Sequence, residues 1–225
     1  SDEEVMRIDG VGSIVNNKMN ADYALSISDE ALGEDEMISS GENLLEFSVT
    51  DYDVKAAEKG YLDAQDQLGI CYEEGKGVEK NLEEAVKWYR KAAEQGYKYS
   101  QCNLACCYEN GIGVEADYNQ ALEWYRKSAE QGYARAQRDL GSCYLVGSGT
   151  GGKNYAEAIK WLNLAAEQDD DRAYEYLAVC YEEGYGVEKD REKAVSLHLK
   201  AAEKDFDLAQ CALGRCYYHG SGVEQ

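Results

Sequence analysis

The stretch Ala64–Tyr99, AQDQLGICYEEGKGVEKNLEEAVKWYRKAAEQGYKY, decides the fold. The same pattern begins again at Ser100, Ala136, Ala173 and Ala209, at steps of 36, 36, 37 and 36 residues. A fixed period of this length is what stacked helical hairpins leave in a sequence, because each hairpin can bury its apolar face only against its neighbours. An all-α repeat array is therefore expected, and positions below are counted within the unit that starts at Ala64.

The first helix of each unit carries a small residue at position 1, Leu at 5, a small residue at 6, then Cys at 8 and Tyr at 9, as in Leu68, Gly69, Cys71 and Tyr72. Spacings of three and four put these side chains on one helical face, which is the buried one. Gly69, Ala105, Gly141, Ala178 and Gly214 at position 6 lack bulk, so a neighbouring ring or backbone can approach closely there. A turn of the form Gly-x-Gly-Val follows in Gly75/Gly77/Val78, Gly111/Gly113/Val114, Gly184/Gly186/Val187 and Gly220/Gly222/Val223. Its glycines supply the positive φ that ends one helix and redirects the chain, and its valine can plug the hairpin mouth. A phosphate-cradling loop is the other use of such glycines. It fits poorly, since the motif recurs in successive copies, follows a helix and lacks the Lys-Ser/Thr of a nucleotide loop.

The second helix opens on Asn81, Asp117, Asn154 or Asp190, all good N-caps. Glu84, Gln120 and Glu157 stand three residues on and predict capping boxes. An Ala (85, 121, 158, 194) and an aromatic pair (Trp88/Tyr89, Trp124/Tyr125) come next. The helix closes on Gly96, Gly132, Asp169 or Asp205, residue types that tolerate a left-handed helix end.

These residues carry a family resemblance. The pattern A-x3-LG-x2-Y-x2-G-x-GV-x2-[ND]-x3-A-x2-WY-x-KAAEQG over residues 64 to 225 resembles the Sel-1-like repeat, a relative of the tetratricopeptide repeat. Departures are visible: Glu79, Glu115 and Glu188 replace the proline that often follows the turn valine. The third copy has lost its valine and gained a residue in Thr150-Gly151-Gly152-Lys153, and the fourth has Leu197-His198 at the aromatic pair. The resemblance implies a right-handed superhelical solenoid that acts as an adaptor or scaffold. A cysteine-rich, secreted branch of these repeats is implied to carry one disulfide per hairpin, between the end of the second helix and the start of the next repeat. Those places hold Ala93 and Gln101 here, so that likeness fails.

Within the array the copies are 64–99, 100–135, 136–172, 173–208 and a truncated 209–225. Counting back one period gives a degenerate N-terminal capping repeat at 28–63, with Leu32-Gly33 at positions 5 and 6, Tyr52 at the Trp slot, and Ala56-Ala57 with Gly60 at the helix end. Residues 1–53 carry 14 acidic and 2 basic residues, the composition of an acidic tail interrupted by the apolar patches Met19–Ile27 and Leu44–Val49. If ordered, segment 1–27 is expected to dock on the array's own groove or a neighbour's. The chain starts Ser-Asp-Glu-Glu without an initiator Met and stops inside a repeat turn, so a longer parent protein is expected. No secretory signal and no apolar run near 18 residues is visible.

Eight cysteines need placing. Cys71, Cys107, Cys143, Cys180 and Cys216 hold position 8, where stacked hairpins sit roughly 10 Å apart. A disulfide needs Cα atoms within about 7 Å, so these five read as small buried hydrophobes. Cys102, Cys106 and Cys211 lie at positions 3 and 7. The Cys102/Cys106 spacing of four could hold a metal, but no His or second pair completes a site, and neither a metal nor a cofactor is expected. Core thiols and the lack of an Asn-x-Ser/Thr sequon favour a reducing, cytoplasmic compartment.

An enzyme reading has little support. His198 occupies a core aromatic slot, His219 sits in the last turn, and neither has a nucleophile or carboxylate at a motif spacing. A net charge of −21 disfavours nucleic acid and anionic membranes, which require Lys/Arg patches. Basic residues such as Lys87, Arg90, Lys91, Arg126 and Lys127 alternate with Glu on second helices, like ordinary surface pairs.

The surface left over is a stripe at positions 3, 7 and 10 of the first helices, expected to face outward along a concave side. It comprises Asp66/Ile70/Glu73, Cys102/Cys106/Glu109, Arg138/Ser142/Leu145, Glu175/Val179/Glu182 and Cys211/Arg215/Tyr218. Core positions repeat while these vary, which is what a binding surface on a regular scaffold produces. Its mix of apolar and acidic residues suits a protein or peptide partner with apolar anchors and basic residues. A non-catalytic interaction scaffold is thus expected. An enzyme or small-ligand binder, which would need a deep pocket, and a self-assembling module are the alternatives.

Overall fold

The structure is a computed structural model that describes residues 51–202, with side chains from Val54 onward. Expectations for segment 1–27, the first half of repeat 28–63, Asp205, His219, Cys216 and the stripe residues Cys211, Arg215 and Tyr218 lie outside the described residues. Among the described residues every regular element is a helix: α1 (Asp51–Glu58), α2 (Leu62–Glu74), α3 (Leu82–Glu94), α4 (Lys98–Asn110), α5 (Tyr118–Glu130), α6 (Ala134–Val146), α7 (Tyr155–Glu167), α8 (Asp171–Glu183) and α9 (Arg191–Ala202). Two compact units divide the described residues, one holding 51–100 with 112–114, the other 101–111 with 115–202.

In the first unit α2 pairs with α3, and α1 packs on α2. Ala56, Ala57, Ala64, Leu68 and Trp88 form its core cluster, so the residues assigned to a degenerate helix end do pack against the first full copy. In the second unit α6 pairs with α7 and α8 with α9. Leu162, Ala165, Leu177, Ala178, Cys180 and Leu197 lie in one cluster there, with the turn valine Val187 packed against it.

The helix ends follow the local chemistry read from the sequence. First helices start two residues before the chosen frame, at Leu62, Lys98, Ala134 and Asp171. Three of them end on a left-handed Gly75, Gly147 or Gly184, whose N–H donates to the carbonyl of the position-8 cysteine. Second helices end on positive φ at Gly96, Gly132 and Asp169, the last being the one non-glycine with positive φ among the described residues. Asn81, Asp117, Asn154 and Asp190 each accept a backbone N–H from the first turn of the helix that they cap.

The reciprocal half of the capping box is a correction. The N–H groups of Asn81, Asp117 and Asn154 donate to the carbonyls of Tyr72, Tyr108 and Tyr144 at the end of the preceding helix. The hairpin thus closes on its own backbone and leaves nothing for a Glu to cap, and Glu84 turns to Lys87 and Glu157 to Trp161. The extra residue in the third copy is absorbed in the same loop, where Thr150 Oγ1 donates to the Gly152 carbonyl and Asn154 still reaches Tyr144.

The second turn glycine does more than redirect the chain. A Cβ on Gly113 would overlap the backbone of Leu82, one on Gly149 that of Tyr118, and one on Gly186 that of Tyr155. Each turn therefore seats against the first turn of the preceding copy's second helix, and only a glycine allows the approach. Gly113→Ala is expected to lose about 2–5 kcal/mol, combining left-handed strain with overpacking. Gly132→Ala, with equally positive φ but open space around the Cβ, should lose only about 1–2 kcal/mol. Urea denaturation of the two variants compares them, and equal losses would show that the contact is not tight.

Candidate functional site

The expected stripe separates into three kinds of position. Position 7 is partly open in each described copy: Ile70, Cys106 and Ser142 are half-buried and Val179 is exposed. Position 3 does not face outward, because it meets the start of the following copy or its own second helix. Asp66 is buried and accepts from Ser100 Oγ at 2.6 Å, and Cys102 is fully buried. Arg138 reaches Asp139 at 2.8 Å and Asp170 at 3.3 Å, while Glu175 turns back onto His198.

Position 10 serves the buried side chain at position 26 on the partner helix of its own hairpin. Tyr89 donates to Glu73 at 2.6 Å and Tyr125 to Glu109 at 2.7 Å. In the fourth copy His198 Nδ1 lies 2.7 Å from Glu175, and Nε2 lies 3.5 Å from Glu182, an ion-pair distance without hydrogen-bond geometry. In the third copy Leu162 holds position 26 and Leu145, at position 10, packs against its cluster. The pairing was legible in principle, since Glu stands at position 10 wherever position 26 has a polar tip, and Leu where it does not.

His198 therefore does have carboxylate partners, 23 and 16 residues back and so invisible to a motif search. Burial alone disfavours the imidazolium, but the hydrogen bond and charge of Glu175, with Glu182 behind it, outweigh this and raise its pKa above the ordinary imidazole value. At 1% exposure it is a structural ion pair out of reach of any substrate.

Glutamines tie copy to copy. Gln65 donates to the Ala57 carbonyl and Gln137 to that of Ala129, each at the end of the preceding second helix. Each also accepts from a glutamine at its own copy's close, Gln95 or Gln168. On the second helices Lys91 and Lys127 lie over the rings of Trp88 and Trp124 at 3.6 and 3.9 Å, while Lys87 pairs with Glu84 as expected.

One polar cluster has no counterpart elsewhere among the described residues. Cys102 and Cys106 of α4 meet Asp139 of α6, with all three ligand atoms within 4.8 Å of one another. Asp139, the third donor missing from the sequence reading, is already held by Arg138 at 2.8 Å and faced by Arg135 at 3.8 Å. With two guanidiniums in place, the cluster is better balanced for anionic sulfur than for a cation. The described cysteines are unbridged, in line with the spacing argument. The surface depressions found are open hollows at equivalent turns of two copies, lined by Tyr72 and Val78–Asn81, and by Tyr181 and Val187–Glu192. They recur with the scaffold and gather no convergent catalytic set. Among the described residues no helix is long and apolar enough to cross a membrane.

Two outcomes test the pairing of positions 10 and 26. Glu73→Leu and Tyr89→Leu should each destabilise the chain. The double variant, which copies the third repeat, should recover part of the loss, with a coupling of about 1–3 kcal/mol in a double-mutant cycle. Additive losses would remove the pair. For His198, the raised folded pKa means that its contribution is fully present below the unfolded value of about 6.5 and is lost as pH rises through the folded value. The melting temperature of the wild type should fall across that window relative to His198→Tyr, and parallel profiles would show that the ion pair is not formed.

Comparison with known proteins fits this architecture. The Sel1 repeat model matches residues 62–97, 98–133, 134–170, 171–206 and 207–225. A Sel1 repeat protein from Oxalobacter formigenes has a crystal structure 43% identical in sequence, with a TM-score of 0.70 over 74% of this chain and 66% of that one. Protein c5321, a protective antigen of uropathogenic Escherichia coli with an SLR fold, is 36% identical, with a TM-score of 0.72 over 78% of this chain and 37% of that one. The DAP3-binding cell death enhancer 1 of Rattus norvegicus is 39% identical over 74 residues, 33% of this chain but only 14% of that protein. The matched copies run from the α2 hairpin onward over more than half of the sequence, and the chain belongs to the Sel1 repeat family.

Proposed function

We propose that the chain is a non-catalytic interaction module that captures a protein segment along the first helices of its second unit. Sel1 repeat proteins are generally protein-interaction modules. The observation that carries the finer reading is the split within the stripe. Positions 3 and 10 are tied to fixed partners inside the array, whereas position 7 of α4, α6 and α8 is partly open and holds Cys106, Ser142 and Val179, three side chains of different chemistry. A surface that varies on a scaffold that does not is how repeat proteins build specificity. Half-buried Glu109 and Glu182 flank it, so a partner segment with apolar anchors and basic residues complements it. The rat relative is by its name a DAP3-binding protein, which is consistent with a binding role for shared repeats.

The test is selection from a random peptide library displayed on phage. Wild type should enrich a family of basic and apolar sequences that Ser142→Arg/Val179→Glu fails to bind, with a loss of at least about tenfold in affinity. Equal enrichment by both proteins, at unchanged helicity, would move the site elsewhere.

A further inference from the structure

Cys106 is unlike the other described thiols in what surrounds its sulfur. Arg135 Nη2 donates to it at 3.3 Å, the Tyr125 hydroxyl lies 3.1 Å away, and the thiol of buried Cys102 hydrogen-bonds to it from one turn back on α4. Donors from two helices, Arg135 of α6 and Cys102 of α4, thus converge on one sulfur atom, beside a Tyr125 hydroxyl whose own proton goes to Glu109. The facing negative charges are partly occupied: Asp139 is held by Arg138 and faced by Arg135, and Glu109 accepts from Tyr125. Cys106 is half-buried and the Arg135 side chain is 43% exposed, so a small molecule has access.

We propose that Cys106 is a reactive thiol that undergoes thiol–disulfide exchange with low-molecular-weight disulfides. The Cys106 thiolate attacks one sulfur of the disulfide, a new S–S bond forms as the old one breaks, and the other half leaves as a thiolate that takes a proton from water. The guanidinium of Arg135 stabilises the attacking anion, as donors and cations do at activated thiols. Cys102 cannot readily resolve the adduct. Side chains four apart on a helix hold their Cβ atoms about 5–6 Å apart, against about 3.5–4.5 Å in a disulfide. The mixed disulfide therefore persists until an external thiol removes it.

The surroundings of each thiol set its acidity in the same sense as the geometry. The hydrogen bond from Cys102 and the charge of Arg135 outweigh burial and lower Cys106 to about 7. Cys102, which donates that bond and is buried, is raised far above the thiol range. Burial raises Cys143 to about 12 and Cys180 to about 11. A thiol near 7 has more than ten times the thiolate of an ordinary one at neutral pH, but its lower intrinsic nucleophilicity takes back part of this. The net gain is about three- to sixfold between pH 6 and 7.

The experiment treats the whole chain with dithiodipyridine under pseudo-first-order conditions and maps the modified cysteines by peptide mass spectrometry from pH 5 to 9. Cys106 should react about three- to sixfold faster than Cys71, the other half-buried thiol outside this cluster, at pH 6 to 7, with a rate midpoint near 7. Arg135→Gln should move the midpoint upward and Arg135→Lys should restore part of the shift. A Cys106 rate that follows an ordinary thiol midpoint of about 8.5, or that does not exceed Cys71, overturns the proposal. The wild-type profile decides this even if a variant fails to fold.

Discussion

The hairpin depends on the side chain at position 26 lying flat against a first helix that has no Cβ, or only a methyl, at position 6. A Cβ on Gly69 would come within 2.5 Å of the Tyr89 ring, and one on Gly141 within 2.8 Å of Leu162. That contact fixes how closely the two helices approach, and the rest of the unit follows from it. With the helices this close, the connecting turn is short enough for the N-cap N–H to find the carbonyl of the position-9 tyrosine. Burial of Tyr89 and Tyr125 at 0% exposure then demands a partner for each hydroxyl.

That demand assigns the outer turn of the first helix. Glu73 and Glu109 accept the hydroxyls, Glu175 and Glu182 take the imidazole of His198, and Leu145 fits where Leu162 has no polar tip. These carboxylates are part of how the core is satisfied, although they stand where a surface stripe was expected. A position-10 residue is therefore free to vary only together with position 26, and position 3 only together with the copy that follows or, for Glu175, with its own second helix. Position 7 carries no such tie in common, which is why chemical variety gathers there.

The fold was legible because its determinants recur at fixed spacing: small residue, turn glycines, N-cap and a closing Gly or Asp each appear in copy after copy. What escaped lies between elements distant in the chain. The role of Gly113 requires knowing that its turn seats on Leu82 of the preceding copy, and the partners of Gln65 and Gln137 are backbone carbonyls that carry no sequence identity. The capping boxes failed for a related reason. The Glu residues are present, but the tertiary closure of the hairpin supplies the N–H with a nearer acceptor. Sequence periodicity identifies which face is buried; it does not say which buried polar atom meets which.

The same logic explains why one cysteine differs from its kind. Position 8 places Cys107, Cys143 and Cys180 in the core, where burial keeps Cys143 and Cys180 protonated and all three serve as small apolar side chains. Cys106 is one residue from Cys107 but points along the position-7 stripe, where α5 contributes Tyr125 and α6 contributes Arg135. Tyr125 is there to close its hairpin and Arg135 precedes the first buried residue of the next copy, so both face whatever side chain stands at position 7 of this one copy. A hydroxyl or a hydrocarbon, such as Ser142 or Val179 in copies that carry Leu162 or His198 at position 26, gains no reactivity from such neighbours. A thiol does, because its ordinary pKa lies within reach of neutral pH and donors aimed at the sulfur stabilise the anion. The chemistry arises where three residue types coincide in one copy, a thiol at position 7, a hydroxyl at position 26 and a guanidinium at position 36.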